Sequence, residues 1–84
     1  MTPVIADLVG LVGSAIFIGA FAYANFAKRF DKLWFNLANL VGAVLLLASL
    51  WINFNLAAFV LEIAWGVIAS VGIADALRAR SAAP

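Results

Sequence analysis

The run LWFNLANLVGAVLLLASLWI (Leu33–Ile52), the triplet NFN (Asn53–Asn55) and the run LAAFVLEIAWGVIASVGIA (Leu56–Ala74) decide how this chain folds. Each run approaches the roughly 20 residues that a helix needs to cross about 30 Å of hydrocarbon. A three-residue connector forces two such helices to be antiparallel neighbours. Towards the N-terminus, Ala27–Lys32 forms a second short connector, and Val4–Phe26 is a third apolar run. The alternating pattern of a membrane barrel is not seen. The expectation is an all-α polytopic membrane protein. Three transmembrane helices, over about 4–26, 33–52 and 56–74, form one up-down-up bundle within a single domain, 1–84.

Composition agrees. Of 84 residues, 68% are hydrophobic and 11% charged, and the mean hydropathy is +1.17. A soluble domain of this size could not cover itself with so little polar surface. Cysteine and histidine are absent, which removes disulfides, thiolate metal sites and the commonest acid–base group. No metal site and no cofactor are expected. A net charge of +1 gives no reason to expect nucleic acid.

The cations matter through their placement. Lys28, Arg29 and Lys32 lie in or beside the first connector, and Arg78 and Arg80 lie in the C-terminal tail. With three spans, both groups fall on one side of the membrane. The positive-inside rule then predicts an outward N-terminus, an inward first connector, an outward Asn53–Asn55 and an inward C-terminus. Trp51 and Phe54 are expected at the outer interface, Trp34 and Phe35 at the inner one. Ala22-Tyr23-Ala24 has the small-x-small form of a signal-peptide cleavage site. However, the cations follow the apolar run instead of preceding it, and Asp7 sits near its start, which reads against cleavage. The tail Ser81–Pro84 is expected to fray.

Glu62 is the one ionisable residue in the 42 positions between Lys32 and Asp75. Six residues past Leu56 places it about 9 Å inside the outer boundary. No cation lies at that depth, so an ion pair within the chain is not expected. Three accounts remain open: an acid hydrogen-bonded to Ser14 or Ser49, a water-lined site, or a contact with a partner. Intramembrane acids are functional candidates.

On the second span, Asn39, Gly42, Leu46, Ser49 and Asn53 follow one another at three- or four-residue steps, with Asn36 beside them. The third span offers Asn55, Glu62, Gly66, Ala69 and Ser70 on one side. An inner polar zone is expected from Tyr23, Asn25, Asn36 and Asn39, and an outer one from Asp7, Ser14, Ser49 and Glu62. Such zones hold helices together by hydrogen bonds or line a solute path. Gly10, Gly13, Ser14, Gly42 and Gly66 are candidate packing positions, because small residues let membrane helices approach closely. They serve contacts within the chain or with a second copy. No catalytic constellation can be assembled, and an enzyme is not expected.

Two resemblances follow. The motifs Asp7-x-x-Gly10-x-x-Gly13, Tyr23, Asn39-Leu-Val-Gly42-Ala, Ser49-Leu, Phe54-Asn55 and Glu62-x-x-Trp65 resemble an uncharacterised family of small bacterial inner-membrane proteins. Its members are often labelled hypothetical membrane proteins or permeases. That resemblance spans nearly the whole chain and implies a bacterial inner membrane, with a periplasmic N-terminus and a cytoplasmic C-terminus. More loosely, the length, three spans and outward N-terminus are similar to the SemiSWEET half-transporters of the PQ-loop type. That similarity implies a dimer around a mid-membrane sugar site, with Glu62 near the place of a substrate-binding asparagine. The proline–glutamine hinge of that family is absent; Ala22–Asn25 occupies its place. Two functions are therefore expected as alternatives. One is an accessory or structural subunit packing in the lipid bilayer as a homo-oligomer or within a larger membrane complex. The other is an oligomeric small-solute or proton-linked transporter using Glu62 and the Asn39 face.

Overall fold

The computed structural model describes residues 1–82 and contains three α-helices and, among those residues, no strand. They are α1 (Pro3–Phe26), α2 (Lys32–Leu50) and α3 (Leu56–Ala82). All three are long and apolar enough to cross a membrane.

Each helix starts on a side-chain cap that satisfies otherwise unpaired amides. Thr2 Oγ1 accepts from the Ile5 amide at 3.2 Å, with Pro3 in the first turn. Asp31 Oδ1 accepts from the amides of Leu33 (2.9 Å) and Trp34 (3.4 Å). Asn55 Oδ1 accepts from the Ala58 amide at 3.0 Å. The second span, expected to reach Ile52, ends at Leu50, so the outer connector is 51–55. The third, expected to stop at Ala74, continues as helix to Ala82. Asp75, Arg78 and Arg80 end the apolar run but not the helix. Alanine, leucine and arginine are good helix formers, and an arginine in the last turn suits the negative helix end. Of the tail expected to fray, Ser81 and Ala82 are helical, whereas Ala83 and Pro84 lie outside the described residues. The molecule is 49 Å long, which exceeds a hydrocarbon core of about 30 Å.

Two polar ties at opposite ends fix the antiparallel threading. At one end, Asn53 Nδ2 donates to Asp7 Oδ1 at 2.8 Å. At the other, Arg80 Nη2 donates to Asp31 Oδ2 at 2.8 Å and Oδ1 at 3.0 Å, and Lys32 lies 3.9 Å from Asp75. Tyr23 buttresses the same turn: its hydroxyl accepts from the Asp31 amide at 2.6 Å and donates to the Arg29 carbonyl at 3.2 Å. Asp31 thus has two separable roles. Asp31→Ala is expected to destabilise the protein by about 1 kcal/mol through the lost cap. Asp31→Asn keeps the cap, loses only an exposed ion pair, and should cost less than 1 kcal/mol. Unfolding of both variants in bicelles distinguishes the two roles.

Helix α2 is the middle member. It packs against both neighbours, whereas no Cα of α1 comes within 8 Å of one of α3 among the described residues. Phe17 and Trp65 join the outer helices, their ring centroids 5.8 Å apart. The interior is built from small residues. The buried apolar side chains are Ala6, Ala20, Ala43, Ala69 and Ala76, and no large side chain is fully buried among the described residues. Large residues such as Leu11, Ile18, Val44, Val60 and Ile68 point outwards. That distribution inverts the soluble rule and suits lipid, where burying a leucine gains nothing over leaving it in acyl chains. Trp51 and Trp34 are 86% and 66% exposed near opposite ends of α2, where interfacial anchors sit.

Candidate functional site

The polar stripe of α2 is divided between two neighbours. Its upper part faces α1. A Cβ on Gly10 would lie 2.8 Å from Ser49 Oγ, and one on Gly13 would lie 3.0 Å from the Gly42 carbonyl. A Cβ on Gly42 would lie 2.6 Å from the Phe17 ring and 3.2 Å from the Gly13 carbonyl. Gly13 and Gly42 therefore form a reciprocal close crossing, the arrangement for which small residues are used in membranes. Ser14, half-buried, lies beside this crossing.

The lower part of α2 faces α3. Asn39 is buried; its Nδ2 donates to the Phe35 carbonyl at 2.8 Å, and its Oδ1 accepts from Trp65 Nε1 at 2.9 Å. Asn36 is also buried, with Nδ2 donating to the Lys32 carbonyl at 2.8 Å. Its amide lies against Gly72, where a Cβ would come within 2.6 Å of Nδ2. Gly66 is less constrained, since a Cβ there would meet only Ala43 Cβ, at 3.8 Å.

The expected inner zone is consequently dispersed. Tyr23 serves the first connector, Asn25 Nδ2 donates to the Phe21 carbonyl of its own helix at 2.8 Å, and Asn36 and Asn39 turn to α3. The expected outer zone is divided as well. Asp7 pairs with Asn53, Ser49 lies against α1, and Glu62 lies on α3. The physical reason is the width of the α2 stripe, which covers two helix neighbours on different sides.

Glu62 is 6% exposed, and its Oε2 has no hydrogen-bond partner among the described residues. Of the three accounts left open, a hydrogen bond from Ser14 or Ser49 is not formed to that oxygen. Glu62 instead borders a groove of about 340 Å³ between α2 and α3, lined also by Leu40 and Leu47 of α2 and by Ile63, Gly66, Val67, Ser70 and Val71 of α3. Ser70 Oγ donates to the Gly66 carbonyl at 2.8 Å, so that hydroxyl is committed within its own helix. A second cleft, of about 300 Å³, opens between α1 and α3 around Phe17, Phe21, Phe35, Asn39 and Trp65. Its walls are aromatic apart from Ile18, and its polar feature is the Asn39–Trp65 pair. No group of three metal-ligating side chains occurs among the described residues.

Three contributors escaped the sequence reading as site residues. Trp65 was legible only as part of a motif, three residues past Glu62. Gly72 continues the 65–69–72–76 stripe at helical spacing, a signal that was available. The link from Asp31 to Arg80, 49 positions apart, leaves no local trace. Trp65→Phe keeps the ring beside Phe17 but leaves Asn39 Oδ1 without its donor. A loss of about 0.6–1.7 kcal/mol is expected, and in a double-mutant cycle with Asn39→Ala most of it should be shared.

A family model matches residues 6–80, from the first buried alanine of α1 to the arginine that reaches Asp31. The chain belongs to that family, which is uncharacterised. No curated protein and no solved structure matches the chain, and the half-transporter resemblance gains no support from them.

Proposed function

We propose that this family member is a non-catalytic accessory or structural subunit of a bacterial inner membrane, packing through small and polar helix faces with itself or with a larger membrane complex. One observation carries the reading: the buried carboxyl oxygen of Glu62, unpartnered among the described residues, borders an open groove between α2 and α3. An unpaired buried acceptor costs about 1–3 kcal/mol, more in hydrocarbon, and a partner at the groove removes that cost. The other intramembrane amides, and the Trp65 indole, are already engaged within the chain. They support cohesion and leave few free groups for a solute. In the proposed orientation the N-terminus is periplasmic and the C-terminus cytoplasmic, because all five cations lie at the end where Arg80 meets Asp31.

Purification under gentle extraction, followed by native mass spectrometry, tests the reading. A defined oligomer or a stoichiometric complex is the expected result. A reporter fused after Pro84 is expected to read as cytoplasmic.

The α1–α3 cleft at Asn39 favours the second reading, an oligomeric carrier of a small solute or protons. Purified protein in liposomes discriminates the two. A flux abolished by Glu62→Gln with assembly intact would establish transport, and its absence is expected.

A further inference from the structure

We infer that the α2–α3 groove bordered by Glu62 is the self-association surface of this protein, occupied by α3 of a second copy inserted in the same direction, with the two Glu62 carboxyl groups hydrogen-bonded to each other. This rests on the subunit reading above and identifies its partner.

The groove has the shape for a helix. Leu40 and Leu47 of α2 form one wall, and Gly66 and Ser70 form a low edge on α3. Gly66 is half-buried, an added Cβ would stand in ordinary van der Waals contact with Ala43 Cβ at 3.8 Å, and its remaining exposed side can take a close neighbour. Ser70, one turn on, has its hydroxyl bonded to the Gly66 carbonyl, which leaves a small, satisfied surface. Ile63, Val67 and Val71, all exposed, flank the strip and can interdigitate with their counterparts. Small residues four apart are a known means of close helix approach in membranes. Here the strip is joined by an independent feature, a carboxyl group more than nine-tenths buried whose Oε2 has no partner among the described residues.

Chemistry selects the occupant. Glu62 needs a donor at its own depth. The nearby intramembrane donors are engaged: Asn36 and Asn39 with carbonyls of α2, Trp65 with Asn39, and Ser70 with Gly66. A second copy supplies one. The cations sit at one end of the molecule, so every copy inserts in the same direction and every Glu62 lies at the same depth. A two-fold axis along the membrane normal places a residue beside its own counterpart. A neutral carboxyl group carries both an O–H donor and a C=O acceptor, so two of them, each turned into the groove by rotation of the Glu62 side chain from its buried position, satisfy each other. No cation from another protein is required.

The chain has no cysteine, so single cysteines report proximity without background. The full chain is used, in native membranes and in lipid vesicles. Under a mild thiol oxidant, Ser70→Cys is expected to form disulfide-linked dimers. Ile18→Cys, on the outward face of α1 and 70% exposed, is the negative control. In vesicles, single-molecule photobleaching over a range of protein-to-lipid ratios gives the dimer dissociation constant. Glu62→Leu is expected to raise it about tenfold, matching the 1–2 kcal/mol of polar pairs in model membrane peptides. Glu62→Gln, whose amide is also self-complementary, should stay within about threefold of wild type, which separates loss of pairing from misfolding. Gly66→Leu should raise the constant at least as much as Glu62→Leu.

Equal cross-linking by Ser70→Cys and Ile18→Cys overturns the proposal. So does a dissociation constant unmoved by Glu62→Leu in a variant whose helix content is native. A monomer that assembles stoichiometrically with a different protein also overturns it, while leaving the subunit reading standing. Solute flux that depends on Glu62 removes the subunit reading itself.

Discussion

Gly42→Val is expected to detach α1 from α2 and to destabilise the bundle by about 3 kcal/mol, the upper end of what overpacking costs. A first methyl at this position would lie 2.6 Å from the Phe17 ring and 3.2 Å from the Gly13 carbonyl. These two obstacles differ in kind. The ring can turn aside, but only by leaving Trp65, its partner across the bundle at 5.8 Å. The carbonyl belongs to the α1 backbone and cannot move unless the whole helix does. Gly42→Ala should therefore cost about 1 kcal/mol, and Phe17→Ala in the same molecule should recover part of that by clearing the ring. The same rescue should fail for Gly42→Val, whose γ methyl groups reach the backbone as well. Unfolding by steric trapping in bicelles gives the free energies. A valine variant within about 0.5 kcal/mol of wild type would falsify the close-crossing account.

The size of that effect follows from the solvent. In water, a bundle of this size would depend on burying leucines and valines at about 25 cal/mol per Å². In lipid that gain is absent, because acyl chains solvate leucine as well as protein does. Stability must come from dispersion across close backbones and from interhelical hydrogen bonds. The interior of alanines, glycines and two asparagines, with Glu62 as its one buried acid, meets that demand. It also concentrates the energy in a few contacts, so one methyl group in the wrong place has a large consequence.

The threading was legible because lipid imposes it. Apolar runs near 20 residues and two short connectors admit few arrangements, and the helices α1 and α2 begin and end within two residues of the runs read from sequence. The end of α3 was not legible, since charge at Asp75 marks where a chain leaves hydrocarbon and says nothing about where helical hydrogen bonding stops. The polar residues were legible as a stripe, but not as a site. At 3.6 residues per turn, Asn36, Asn39, Gly42 and Ser49 fall on one broad arc, and periodicity does not tell one neighbour from two. The structure assigns Gly42 and Ser49 to α1 and Asn36 and Asn39 to α3. Asp7 and Asn53, separated by 46 positions, meet only because the hairpins close. Glu62 was conspicuous from sequence alone. Its lack of a partner at Oε2 required knowing that Ser49 lies against Gly10.

Gly72→Ala is the corresponding test of the α2–α3 joint, with an expected loss of about 1–3 kcal/mol. An added Cβ would lie 2.5 Å from Asn36 Cγ and 2.6 Å from Nδ2. Side-chain ends normally yield at small cost, but this one is buried at 8% exposure and its amide is bonded to the Lys32 carbonyl. Turning it away breaks that hydrogen bond and leaves a buried amide to find another partner. The alternative is to push α3 outwards, which strains the Asn39–Trp65 bond one to two turns away on one side and the Arg80–Asp31 tie on the other. Either route predicts strong non-additivity. Asn36→Ala alone removes the obstacle and one hydrogen bond within α2. In that background, Gly72→Ala should be nearly neutral, because the methyl occupies the space the amide vacated. Steric trapping of the two single variants and the double variant measures the coupling, and hydrogen exchange at the first turn of α2 locates it. Additive losses would mean that the Gly72 backbone does not depend on the Asn36 amide for its position. The joint would then be held chiefly by the Asn39–Trp65 pair.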